Sequence, residues 1–139
     1  MPIQTKIEAL KKIKNTCKNN FIEYNNKYKK YKRIDDIIDF FASILNASSI
    51  TLILSTPALP PLFIASAVCS SLQFIITRAQ DKMKIKDKYN QFKTTSNQYD
   101  ALRREILTVL SKNNLSNEEY ESYLEEVNDK INLILDSAF

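Results

Sequence analysis

From Phe40 to Thr77 the chain carries no charged side chain for 38 residues, although 26% of all residues are Asp, Glu, Lys or Arg. So long an uncharged run must be enclosed, either by the rest of the protein or by lipid. Pro57-Ala58-Leu59-Pro60-Pro61 interrupts it near the middle. Those prolines lack amide hydrogens and resist helix continuation, so the run predicts two apolar helices that reverse at 57–61.

Each arm, Phe40–Thr56 and Pro61–Thr77, has 17 residues. At 1.5 Å per residue an arm spans roughly 26 Å, slightly short of a ~30 Å hydrocarbon layer. Eight strongly apolar side chains per arm, such as Phe40, Ile44, Phe63 and Ile75, favour insertion by roughly 2.5–5 kcal/mol. Asn46, Gln73 and the many Ser and Thr residues oppose it. Small or polar side chains recur on both arms: Ser43, Asn46, Ala47 and Ser49 on the first, Ala65, Ser66, Cys69, Ser70 and Gln73 on the second. That spacing lets helices approach closely in lipid, so these nine positions are the candidate helix–helix interface, within the hairpin or between copies. A membrane hairpin is the expected outcome. The alternative is a soluble bundle of about four helices that buries both arms.

The remaining chain is predicted to be helical. Glycine is absent and prolines number only four, which leaves few tight turns for a β fold. In the basic segment 1–39, Ile3, Ile7, Leu10, Ile13, Cys17, Phe21, Tyr24, Tyr28, Tyr31, Ile34 and Ile38 recur every three or four residues. No stop precedes Phe40, so this helix is expected to run on into the first arm, with Asn19-Asn20 and Asn25-Asn26 as its weakest points. Residues 78–112 repeat the pattern with Ile85, Tyr89, Phe92, Ser96, Tyr99, Leu102, Ile106 and Val109. The two seams can face each other as an antiparallel coiled coil. A break at 111–115 leads to Ser116-Asn117-Glu118-Glu119, a capping box that opens an acidic helix over 116–137. Its stripe is Tyr120, Leu124, Val127, Ile131 and Ile134. The expected architecture is all-α and a single domain. It comprises an antiparallel helical hairpin, with a coiled-coil stalk and a two-transmembrane tip, and a C-terminal helix packed back on the stalk.

Charge follows the same division. Residues 1–39 hold ten basic and five acidic side chains, residues 78–112 nine and four, and residues 113–139 one and seven. The acidic helix is expected to dock on the basic pair. Lys27, Lys29, Lys30, Lys32 and Arg33 precede the first arm, and Arg78, Lys82 and Lys84 follow the second. These are the candidate contacts to anionic lipid headgroups, and they predict a cytoplasmic location for both termini. Asp35, Asp36 and Asp39 are expected to pair with Arg33, Arg78 or Lys82.

Chemistry has little to work with. The chain has no His, two Cys and no Gly-rich loop, so no metal, cofactor or catalytic residue is expected, and the chain is not read as an enzyme. A formal net charge of +4 and tyrosines set in a helical seam do not make a nucleic-acid surface, and no such partner is expected. Met1-Pro2-Ile3-Gln4 lacks the apolar core of a cleaved secretion signal.

A basic amphipathic helix, two short apolar helices, a helix with Tyr99-Asp100-Ala101-Leu102-Arg103-Arg104-Glu105-Ile106 and a closing helix ending Ile134-Leu135-Asp136-Ser137-Ala138-Phe139 form a layout. It resembles the SMODS and SLOG-associating two-transmembrane effector (SLATT) domains over roughly residues 28–139. The resemblance implies a membrane effector, pore-forming, in nucleotide-signalled defence; relatives of that family occur in large DNA viruses. The apolar pair followed by Leu110-Ser111-Lys112-Asn113-Asn114-Leu115-Ser116-Asn117-Glu118-Glu119-Tyr120 is also similar to small two-helix membrane proteins of virophages and Polinton-like elements. That implies a virion or mobile-element membrane component. Neither resemblance assigns a role to an individual residue. Three functions are therefore carried forward: a self-associating, pore-forming membrane protein, a virion membrane component, and a soluble helical interaction module.

Overall fold

The computed structural model describes residues 2–55, 61–112 and 114–138. The expected reversal at 57–61 lies, except for Pro61, outside the described residues. The protein is all-α, built from α1 (Ile3–Ser55), α2 (Pro61–Met83), α3 (Ile85–Ser111) and α4 (Asn117–Ala138), with no strand among the described residues. Helix α1 runs through 53 residues, past both Asn pairs and across the boundary at Phe40. The chain divides into two compact units, Met1–Tyr28 with Asn90–Phe139, and Lys29–Tyr89. The sequence pattern marked its changes at 39/40 and 77/78, where charge stops and resumes; the units divide earlier and later, at 28/29 and 89/90.

The first unit is a three-helix bundle. Its core is Leu10, Cys17 and Tyr24 from α1, Tyr99, Leu102 and Ile106 from α3, and Tyr120, Tyr123, Val127 and Ile134 from α4. These positions recur at steps of three, four or seven residues, so each helix turns one stripe inward. Tyr24 stacks on Tyr99 with ring centroids 5.9 Å apart, and the Ser96 hydroxyl donates to the Phe21 carbonyl at 3.4 Å. Position 24 thus meets 99 while 21 meets 96, side by side on α3. Small buried Thr95 and Ser96 let the backbones come close there.

Helix α4 starts as its sequence dictates. The Ser116 hydroxyl accepts from the Glu119 amide at 3.2 Å, and the Glu119 carboxylate accepts from the Ser116 amide at 2.8 Å. This reciprocal capping satisfies two donors that a helix start leaves open. Apolar burial rather than charge docks α4, and the bridging ion pairs run in both senses. Lys6 of basic α1 meets Glu121 at 3.0 Å, whereas Lys130 of acidic α4 meets Glu105 of α3 at 2.7 Å. Pairs whose carboxylate reaches solvent in this way add little to stability. Lys6 is the exception in burial, at 2% exposed, and its ammonium also donates to the Asn117 carbonyl at 3.1 Å.

The second unit is an antiparallel pair. The 29–55 part of α1 packs on α2, with the Ser66 hydroxyl donating to the Ser49 carbonyl at 3.4 Å and Gln80 Nε2 donating to Asp39 at 2.9 Å. The pairing of 49 with 66 and of 39 with 80 fixes the antiparallel register. Pro61 is the first residue of α2, the helical position at which a missing amide costs least.

Sequence periodicity did not show a break between α2 and α3. Lys84 has φ of 48°, in the left-handed region, while the helical hydrogen bonds continue on either side, Lys84 to Gln80 and Lys88 to Lys84, both at 3.0 Å. Pro61–Ser111 is accordingly one long helix with a bend. A non-glycine residue in this region is strained by roughly 1–2 kcal/mol, and this chain has no glycine to relieve it.

Candidate functional site

The second unit has an unusual surface. Phe40, Phe41, Ile44, Ile50, Ile53 and Leu54 on α1 are exposed, as are Phe63, Ile64, Val68, Leu72, Phe74 and Ile75 on α2. Exposure reaches 76% at Leu54 and 69% at Ile64. Scattered apolar residues are normal on protein surfaces, but a dozen large ones on two adjacent helices form a patch of the kind that marks a membrane or partner contact. By length and composition, Pro61–Ser111 is apolar enough to cross a membrane, and only 6% of its apolar window is buried. Among the described residues it is the one helix that qualifies. The first arm is described only as far as Ser55, and from Phe40 that is a 16-residue uncharged segment.

The polar groups on the arms are handled locally. Ser43 donates to the Asp39 carbonyl at 2.8 Å, Thr51 to Ala47 at 3.0 Å, Ser71 to Ala67 at 2.8 Å and Thr77 to Gln73 at 2.9 Å. Each of these four hydroxyls closes on the carbonyl one turn back, so none of the four is left seeking water.

The nine candidate interface residues separate into two groups. Ser49 and Ser66 are buried against each other, the Ser70 hydroxyl lies 3.4 Å from Ser49 Oγ, and Ala65, Cys69 and Gln73 are half-buried. These six belong to the side of the hairpin where the arms meet. Ser43, Asn46 and Ala47 are exposed.

The eight candidate headgroup contacts also divide. Lys29, Lys30, Lys32, Arg33, Arg78, Lys82 and Lys84 are exposed, and the Arg78 guanidinium lies 5.2 Å from the centroid of the Phe74 ring. Lys27 belongs to the bundle unit and is half-buried there. It pairs with Glu23 at 2.9 Å, with its ammonium 5.0 Å from the centre of the Tyr24 ring.

The acidic trio is arranged differently from the expected ion pairs. Asp39 accepts from Gln80, and Asp35 is 3% exposed with its Oδ1 accepting no hydrogen bond. Burial pushes the Asp35 carboxyl above its ordinary range; Asp39 and then Asp36 add to the rise, and Lys86 opposes it. The seam was expected to pass through Ile34, yet Ile34 is exposed and Asp35 lies inside. A straight helix of 3.6 residues per turn drifts by about 20° per heptad, so a stripe begun at Leu10 has moved by one residue when it reaches this point. The sequence did contain the signal. Tyr28, Asp35, Ala42 and Ser49 are spaced by seven, and a carboxylate in that ladder stands out.

Among the described residues no group of three or more acidic or cysteine side chains could hold a metal ion. Both cysteines are free thiols, and burial raises the Cys17 pKa, which keeps that thiol protonated and inert. Comparison with protein-family models, curated proteins and solved structures returned no match.

Proposed function

We propose that this protein is a non-enzymatic, self-associating membrane protein. In this reading the uncharged arms form a two-span hairpin, both termini face the cytoplasm, and several copies assemble into a pore, as the SLATT resemblance implies. One observation carries the proposal. The large apolar side chains of both arms are exposed, whereas the core helix of a soluble protein would bury them. The self-bonded hydroxyls support it, because they remove the polar cost of lipid contact. The exposed cations flanking the arms support the orientation and an attraction to anionic lipid. Exposed Asn46, with Ser43 and Ala47 beside it, is a side chain that lipid does not satisfy and a second copy does, which supports self-association.

The test is flotation of the full chain with vesicles containing anionic lipid, followed by release of an entrapped dye. Co-flotation with leakage is expected, together with cross-linked oligomers that Asn46→Leu weakens. Flotation without leakage rejects the pore and leaves the virion or mobile-element membrane component, which should co-sediment with particles. The soluble interaction module has one observation in its favour, the closed core of the bundle unit. It predicts monodisperse protein in detergent-free buffer that stays at the bottom of the gradient.

A further inference from the structure

Two hollows adjoin in the Lys29–Tyr89 unit. The first, about 220 Å³, is lined by Asp35, Gln80, Asp81, Lys84, Lys86 and Asp87, together with Ile85. The second, about 250 Å³, is lined by Ile38, Phe41, Ile76, Ala79 and Met83 and shares Gln80 and Ile85 with the first. Each alone is smaller than the ~300 Å³ at which small-molecule sites begin; joined, they fall inside that range. One end is charged and the other apolar, a division that fits an amphiphile.

The charged end has a specific deficit. Asp35 is 97% removed from solvent by its 3% exposure, and its Oδ1 has no donor. A buried carboxylate oxygen left in this state is costly, and an N–H donor bearing positive charge is its best partner. Lys84 and Lys86 line the same hollow and offer cations to an anion beside that donor. A protonated primary amine next to a phosphate satisfies both requirements, and an acyl chain fits the neighbouring apolar groove.

We infer that this paired hollow is a binding site for an aminophospholipid of the phosphatidylethanolamine class. The ammonium sits on Asp35, the phosphate between Lys84 and Lys86, and the start of an acyl chain against Phe41, Ile76 and Met83. The inference rests on the membrane reading above and goes beyond it by naming the headgroup. Phosphatidylcholine has the same phosphate and chains, but its quaternary nitrogen carries no hydrogen to donate to Asp35. Discrimination between the two lipids is therefore the signature of the site. The left-handed Lys84 itself lines the charged hollow, and Gln80 before the bend and Ile85 after it line both hollows.

The test is native mass spectrometry of the purified full chain in mild detergent, offered equimolar dioleoyl phosphatidylethanolamine and dioleoyl phosphatidylcholine. Retention of the ethanolamine lipid is expected to exceed that of the choline lipid by about tenfold, the size of one charge-assisted hydrogen bond. Asp35→Asn should bring the ratio close to one with the helical circular dichroism unchanged. Phe41→Ala should weaken both lipids and leave the ratio alone. Equal retention by the unmodified chain, or a preference that survives Asp35→Asn, overturns the inference. Flotation with vesicles lacking ethanolamine lipid separates this outcome from the membrane reading. A chain that floats but shows no headgroup preference overturns the site alone. A chain that does not float but keeps the preference overturns the membrane reading alone.

Discussion

Two buried oxygens illustrate how one environment acts on different chemistry. The Tyr123 hydroxyl is enclosed without a hydrogen-bond partner, and burial, reinforced by Glu105, pushes its pKa from 10 up to about 12. A raised native pKa means that the protonated phenol is the favoured folded form. Its contribution is complete below pH 10 and is lost as pH rises through about 12. Tyr123→Phe should flatten this alkaline loss in urea titrations at pH 9 to 11.5. At pH 7 it should be neutral or stabilising by up to about 1 kcal/mol, because it removes an unpaired hydroxyl. Asp35 has the same sign at the other end of the scale. Its native pKa is raised above the ordinary 3.8, so the stability of its unit is greatest below that value and falls as pH climbs through the raised one. Without bound lipid, Asp35→Asn should raise neutral-pH stability by about 1 kcal/mol and abolish that acid dependence, measured by thermal melts from pH 3 to 7.

Elements differ in how far the chain announces them. The α3 seam and the α4 stripe lie where the three-and-four spacing put them, and the capping box at Ser116 and Glu119 is present in both directions. Such signals are local, so they survive translation into structure. Tyr123 sits beside the α4 stripe and is buried because three helices converge on it, which no single stripe displays. Lys84 was illegible for another reason. Nothing in Met83-Lys84-Ile85 breaks a helix, so the left-handed conformation of Lys84 has no signal in that tripeptide. The burial of Lys6 has no local signal either, because its partners, Asn117 and Glu121, are more than 110 residues away in sequence. These elements should respond unequally to substitution. Ser116→Ala should lower the stability of the bundle by about 1 kcal/mol. Ile106→Ala, at a fully buried position, should cost about 2–5 kcal/mol. If urea melts rank the two in the opposite order, the bundle core has been misassigned.

At the level of the whole molecule, two units of one chain differ in what they do with their main apolar clusters. The bundle unit encloses Leu10, Ile106 and Val127 completely, while the other unit presents Phe40, Leu54, Phe63 and Ile64 outward. A charge placed on the outward surface should therefore act on location and spare the bundle. Ile64→Lys is expected to abolish vesicle flotation, since a lysine at the centre of a span costs about 2.5–3.5 kcal/mol. The urea midpoint of the bundle should not move. Loss of both together would mean that Ile64 supports the fold instead of facing a solvent. The arm hydroxyls have a consequence of their own. Ser43, Thr51, Ser71 and Thr77 each already hold the carbonyl one turn behind them. Under the membrane reading proposed above, insertion would therefore strip no water-dependent partner from these four hydroxyls, and that share of the transfer cost would already be met within each helix.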